Sequence, residues 1–302
     1  MISVLGGLAS LPMLASLALE RPVEVALAEH FQVQYALALG AVAVALAALR
    51  RWRVAVAFAL LALIPAARVA AVAFPRGGGE PRGPRFTVML SNVHSESDAH
   101  GRVIDEVLRV DPEVVAFDEV NARWAAALQR GLPRWTHRFV VAREDNFGVA
   151  VFSRLPMEAR AVYLADGPVP SVIARVRVGE REVTVIATHP VPAMDARGQS
   201  LRDAALAALA GALPRGGPAV VIGDLNATPW SRPLRSLRAR TGLVDSLAGH
   251  GVQPSWPVGL PWAARIPIDH VWVTPDVAVR ERALGRDVGS DHYPVVARLA
   301  LR

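Results

Sequence analysis

A chain of 302 residues accommodates one large domain with an appendage, and the absence of cysteine excludes disulfides and thiol chemistry. More than half of it, 52%, is hydrophobic, which is unusual for a soluble enzyme. All 33 basic residues are Arg; residues 86–302 hold 25 of them against 23 carboxylates, too even a balance to give an overall field for a polyanion.

The apolar excess is concentrated in the first 75 residues. Met1–Leu19 carries no charge, Ala36–Leu49 is apolar, and Val54–Phe74 contains Arg68 alone. A helix crossing a hydrocarbon core needs about 20 apolar residues. Segments near 2–19, 33–49 and 54–74 meet that length, the middle one by taking in residues before Ala36, and predict about three transmembrane helices. A cleaved signal peptide fits less well, because no Lys or Arg precedes the first run. Arg50, Arg51 and Arg53 crowd the turn between the second and third segments, whereas Glu20, Glu24 and Glu29 oppose Arg21 in the loop before. The positive-inside rule then puts the Arg turn in the cytoplasm and the C-terminal domain outside it, as a multi-pass membrane protein. Arg76, Arg82 and Arg85 argue the other way. A partner-binding hairpin on a soluble enzyme is the competing reading of the apolar region.

Residues 76–85, rich in Gly, Pro and Arg, read as a linker between this region (1–75) and a domain over 86–302. In that domain, strands are predicted at Phe86–Leu90, Val114–Phe117, Val149–Phe152, Val172–Val178, Val183–Ala187, Ala219–Ile222, Ile268–Val273 and Val295–Leu299. Helices are predicted at His100–Val110, Ala122–Arg130, Leu201–Leu213 and Arg232–Arg240. Some strands neighbour in sequence and others are separated by helices, so a mixed α/β (α+β) sheet system with helices outside is expected.

Polar residues gather where these strands end. Phe86–Leu90 runs into Ser91-Asn92, Val114–Phe117 into Asp118-Glu119, Val183–Ala187 into Thr188-His189, and Ala219–Ile222 into Gly223-Asp224-Leu225-Asn226. Asp269 opens another strand, and Gly289-Ser290-Asp291-His292-Tyr293-Pro294-Val295 leads into the last. Each of these side chains binds a cation, accepts a proton or hydrogen-bonds an anion, so a cleft is expected where the strand ends converge.

This ordered series resembles the endonuclease/exonuclease/phosphatase superfamily, which includes deoxyribonucleases, apurinic endonucleases, neutral sphingomyelinases and inositol polyphosphate phosphatases. The resemblance spans about residues 86–302, and its most specific parts are Gly223–Asn226 and Gly289–Val295. It implies a four-layer sandwich of two packed mixed β-sheets flanked by helices, and metal-dependent hydrolysis of phosphoesters. Asn92 and Glu119, with Asp291 nearby, take the positions that hold Mg²⁺, or Mn²⁺, in that family. Asp224 would orient the attacking water, Asn226 and His189 would donate to the phosphate, and Asp269 would fix the tautomer of His292 at the reacting centre. Asn146, in Asp145-Asn146-Phe147-Gly148, resembles a phosphate contact. Asp118 stands where the family commonly has Gln, and reads as structural.

Strand alternation points His270 away from Asp269, and His94, two residues after Asn92, reads as a solvated loop residue, with lining of the cleft as the alternative. Trp230, Trp256 and Trp262 are candidates for the cleft rim, the core or a membrane interface. Nucleic acid, phospholipid and small phosphoesters all remain open as substrates; no protein partner is implied. The competing function is a membrane-anchored scaffold that kept the fold and lost the chemistry.

Overall fold

The computed structural model of the chain describes residues 23–74, 81 and 83–302. Its strands are β1 (Arg85–Asn92), β2 (Val114–Asp118), β3 (His137–Val141), β4 (Val149–Ser153), β5 (Met157–Val162), β6 (Ser171–Val178), β7 (Arg181–Thr188), β8 (Ala219–Asp224), β9 (Val244–Asp245), β10 (Asp269–Val273), β11 (Val277–Leu284) and β12 (Val295–Leu301). They form two six-stranded sheets, in the orders β11-β12-β1-β2-β4-β3 and β5-β6-β7-β8-β10-β9.

Alternation along each strand sorts side chains between two faces. Val88, Leu90, Val114 and Ala116 of one sheet meet Val185, Val220, Ile222 and Val271 of the other in a fully buried inner core. Met89, Val115 and Phe117 point outward, under the helices His100–Val110 and Ala122–Gly131. Ile186, Val221 and Trp272 lie under Ala196–Ala212 and Arg232–Thr241. The four-layer sandwich is therefore as expected.

All eight predicted strands are present, each lengthened by one to three residues or, for β10, shortened by one. Four others are present besides. β5 mixes charged and small residues and lacks an apolar run, whereas β3 carries the short run Phe139-Val140-Val141 after His137-Arg138; both are half-buried at most along much of their length. β9 has two residues, and β11 carries an irregularity between Val279 and Glu281 that breaks its alternation. The third helix begins at Ala196 rather than Leu201, because the Asp195 carboxylate accepts from Gly198 N–H and caps it.

The expected three spanning helices become two among the described residues, Val23–Ala48 and Trp52–Ala73, both long and apolar enough to cross a membrane. The first expected span, 2–19, lies outside the described residues. The second starts at Val23, not near residue 33. Its early polar residues find partners on the sandwich: Arg232 N–H donates to Glu29 Oε2 at 2.9 Å, and Gln34 Nε2 donates to the carbonyls of Ala263 and Arg265 at 3.0 and 2.9 Å. Gly249 N–H donates to Ala73 O at 2.9 Å, so both ends of the helical hairpin are held against the sandwich. Its turn, Leu49–Arg51, is exposed.

Candidate active site

Register brings the polar strand ends together. β1 and β2 are parallel, with Asn92 beside Asp118; β8 and β10 are antiparallel, with Asp224 beside Asp269. β12 runs antiparallel to β1 with Val295 beside Leu90, so the segment before it, Asp291-His292, arrives at the same end. Asn92, Asp118, Asp224 and Asp269 follow the inward-facing positions of their strands. They lie between the sheets where the apolar core stops, and each is at most 2% exposed.

Two backbone features make this possible. Glu119 follows an inward residue and by alternation would turn outward; its left-handed φ of 62° instead lets its carboxylate face the cavity. A long side chain in that region is strained, which concentrates such residues at functional sites. Gly223, at φ 154°, precedes Asp224, and a Cβ there would sit 1.9 Å from Thr188 O. Only glycine lets β7 and β8 approach so closely at the level of His189 and Asp224.

Asp224 is the hub. Its Oδ1 accepts from Asn226 N–H at 2.9 Å, and its Oδ2 lies 3.3 Å from Asn92 Nδ2, 3.6 Å from His189 Nε2 and 3.7 Å from His292 Nε2. Burial pushes its carboxyl up, against the opposing pull of His292. His292 Nδ1 is 2.9 Å from Asp269 Oδ2, which also accepts from Ser255 Oγ at 2.5 Å. Burial works against charging of the imidazole, but Asp269 foremost, then Asp224 and Asp291, push it up to about 10. Burial also works on Asp269, and is outweighed by the imidazolium and the hydrogen bonds from His292 and Ser255, which hold that carboxyl below its usual range. His292 is thus a cation between two carboxylates, with Nε2 turned to Asp224.

Asp118 lies beneath this group. Asp224 N–H donates to its Oδ2 at 2.8 Å, while its Oδ1 is buried without a hydrogen-bond partner. Burial, reinforced by the neighbouring acids, pushes it well above the carboxylate range. Through Oδ2 it fixes the backbone of the strand end that carries Asp224. Its structural reading accords with this geometry.

On the other side of the cavity floor, Asn92 Nδ2 donates to Glu119 Oε1 at 3.0 Å and Ser95 N–H donates to Glu119 Oε2 at 3.2 Å. His94 N–H donates to Asn92 Oδ1, and its Nδ1 lies 3.2 Å from Asp291 Oδ1. His94, in the loop after β1 with its side chain 39% exposed, therefore also links the Asn92 and Asp291 arms. Trp256 Nε1 donates to Asp291 Oδ2 at 3.1 Å. Glu119 and Asp291 bring carboxylate oxygens, and Asn92 an amide whose Nδ2 faces Glu119 while its Oδ1 accepts from His94 N–H; among the described residues no Arg is bonded to the three, and oxygens of this kind suit a hard divalent cation. Asp224, Asp269 and His292 also have ligand atoms within 4.8 Å of one another. There, however, Asp269 Oδ2 is already engaged by His292 and Ser255.

The cavity, about 480 Å³, is lined by Glu119, Asn146, His189, Asp224, Asn226, Asp291 and His292 among others. Asn146, exposed at φ 66°, accepts from Ser95 Oγ at 2.5 Å. One N–H of the Asn226 amide donates to Pro190 O at 2.9 Å, which leaves the other for a ligand. His189 Nδ1 is buried without a partner. All nine expected site residues are therefore in or beside one cavity. His270 is on the outer face, with Nε2 2.8 Å from Ala227 O. Trp256 rims the cleft, Trp230 is core, and Trp262 is 47% exposed.

No motif in the residue pattern marks His30. It lies between Glu29 and Phe31, 198 residues from its partner Thr228, whose Oγ1 and N–H lie 3.2 and 3.3 Å from its Nδ1, and its carbonyl accepts from Trp230 Nε1 at 3.0 Å. The first helix thus holds the loop that follows Asp224 and Asn226. Ser255, in a segment without periodicity, was equally hidden.

Sandwich and site together define the phosphoesterase fold of a family whose members hydrolyse phosphoester bonds. Residues 89–292 match the endonuclease/exonuclease/phosphatase family, and the chain belongs to it. Among solved structures, an endonuclease/exonuclease/phosphatase from Beutenbergia cavernae is 22% identical, with a TM-score of 0.59 and 72% of each chain covered. TDP2 of D. rerio, complexed with single-strand DNA product, is 15% identical at TM-score 0.60, over 71% of this chain and 98% of that one. Sphingomyelinase C from Streptomyces griseocarneus is 17% identical at TM-score 0.53, over 71% and 99%. At these identities the likeness is one of fold. No curated protein matches the chain.

Proposed function

We propose that the chain is a membrane-anchored, divalent-metal-dependent phosphoester hydrolase, with residues 1–75 as the membrane region, 76–85 as a linker and 86–302 as the catalytic domain outside the cytoplasm. The observation that carries this is the convergence of His189, Asp224 and His292 within 3.7 Å in a cavity that also exposes Glu119 and Asp291. Glu119, Asn92 and Asp291 would hold Mg²⁺, or Mn²⁺, whose charge offsets that of the phosphate oxygens.

The chain's own residues do the rest. Asp224 takes a hydrogen bond from the attacking water and fixes its direction. As the water oxygen bonds to phosphorus it gives a proton to the Asp224 carboxylate, the ester P–O bond breaks, and the leaving oxygen takes up a proton from solvent, to which Asp224 then returns its own. The free N–H of Asn226, His189 and, at the rim, Asn146 donate to phosphoryl oxygens. His292, held by Asp269, presents a cation where negative charge develops, and burial strengthens that interaction.

Hydrolysis of bis-p-nitrophenyl phosphate by the purified full chain tests this reading. The rate is expected to need added Mg²⁺ or Mn²⁺ and to vanish with EDTA; a rate indifferent to both would remove the metal from the account. The lack of cysteine permits single-cysteine labelling in intact cells: a cysteine at Glu180 should react with an impermeant thiol reagent and one at Arg51 should not, and the reverse pattern would invert the topology.

A further inference from the structure

The first helix is part of the cavity as well as a support for it. Leu27 and Phe31 line it, together with Met194, Ile266 and Ile268, around the phosphate-directed groups. Phe31 is 38% and Met194 74% exposed, so large apolar side chains stand in water at the edge of a polar centre. Exposed apolar side chains clustered beside a polar site mark a surface that an apolar ligand covers.

The same helix is apolar and exposed further from the cavity. Leu37 and Val44 are exposed beyond Phe31, and Val56, Leu60 and Leu63 are exposed on the partner helix. Phe31, at the cavity edge, thus belongs to one of the two helices long and apolar enough to cross a membrane.

The lining also disfavours a polyanion. Among the described residues Arg202 is its one arginine; it is 2% exposed and is engaged by Asp203 and the Asn226 carbonyl. A nucleic-acid backbone is held chiefly by Lys and Arg on successive phosphates, and this cavity supplies none that is free.

From these observations, and resting on the hydrolase reading above, we infer that the substrate is a phosphoester of a membrane amphiphile. Its phosphate sits among Glu119, His189, Asp224 and His292, and its apolar moiety lies against Leu27, Phe31 and Met194 toward the helical hairpin. The first helix is thus the specificity element of the enzyme. Bond changes are those of ordinary ester hydrolysis, with the apolar moiety on the group that stays on phosphorus or on the one that leaves.

The test is hydrolysis of alkyl p-nitrophenyl phosphodiesters, methyl to octyl, by the full chain in neutral-lipid nanodiscs, with single-stranded DNA as a comparison. Complete transfer of one methylene from water is worth about fourfold, so kcat/KM should climb about twofold to fourfold per CH₂ until the wall is covered. Phe31→Ser, at an exposed position that leaves the core intact, should flatten the slope, and Met194→Ser should do the same. A flat series with a working methyl ester would overturn the inference and leave the hydrolase. A steep slope unchanged in both variants would report partitioning into the bilayer, and would overturn it too. Faster cleavage of DNA than of the octyl ester would reassign the site to nucleic acid. No hydrolysis of any ester would sink the hydrolase reading itself.

Discussion

The behaviour of His292 follows from its charge environment. With Asp269, Asp224 and Asp291 around it, the imidazole stays charged to about pH 10 when no metal is bound. A group whose folded-state pKa lies above its unfolded value, near 6.5, contributes stability that is fully present below 6.5 and is lost as pH rises through about 10. In EDTA-treated protein the His292 ring resonances should titrate near pH 10, and Asp269→Asn should bring the midpoint down. A midpoint below 7 in the unmodified chain would contradict the charged pair. At this scale much of the site was legible: the residue types at the ends of β1, β2, β7 and β8 give away their chemistry without any coordinates. Glu119's left-handed turn was not, because a backbone angle leaves no mark on residue type. The contact of His94 with Asp291 was not legible either, since it joins loops almost 200 residues apart.

Elements, rather than single residues, hold these groups in position. His30 bridges the first helix to the Thr228–Trp230 loop directly after Asn226. His30→Ala leaves the buried Thr228 hydroxyl and N–H without that partner, at a cost of about 1–3 kcal/mol. Thermal unfolding should register that loss, and kcat should fall with KM less affected, since the loop follows directly on Asp224 and Asn226. Unchanged kcat would separate the first helix from catalysis. Behind the other sheet, Glu106 on the His100–Val110 helix is 3% exposed and accepts from Arg109 Nε at 2.7 Å and Arg286 N–H at 2.9 Å. Burial raises its carboxyl, but these bonds outweigh that and hold it below its usual range. The stability it adds is present above the unfolded pKa, about 4.3, and is lost as pH falls through the lower folded value. Glu106→Gln should therefore cost about 1–2 kcal/mol at pH 7 by chemical denaturation, and the gap from the parent protein should close below about pH 4. Buried strands announce themselves by apolar runs, as β8 does with Ala219–Ile222. Edge strands such as β5, with Glu158 and Arg160 among alanines, do not, because solvent on one side removes the selection for continuous hydrophobicity.

At the scale of the whole molecule, two features that the sequence keeps apart are one assembly. The apolar segment and the catalytic sandwich read as independent units joined by a Gly/Pro linker, yet Glu29, His30 and Gln34 are bonded to the sandwich and Leu27 and Phe31 line its cavity. Periodicity could not reveal this, since a helix face turned to lipid and one turned to protein are both apolar. With exposed Leu37, Val44, Val56, Leu60 and Leu63, the hairpin should stay in the membrane fraction through carbonate extraction and come out with detergent. Release by carbonate alone would contradict the anchor. The central claim is that phosphoester hydrolysis occurs at Asp224. Asp224→Asn keeps the size and the strand, and removes the carboxylate that lies between His189, His292 and the cavity. Turnover of bis-p-nitrophenyl phosphate by the full chain with Mg²⁺, compared with that variant at equal folded concentration, tests the claim most directly. The variant is expected to lose about 10²–10⁴-fold in kcat with its thermal unfolding still cooperative; a rate within a few-fold of the parent would place the chemistry away from Asp224.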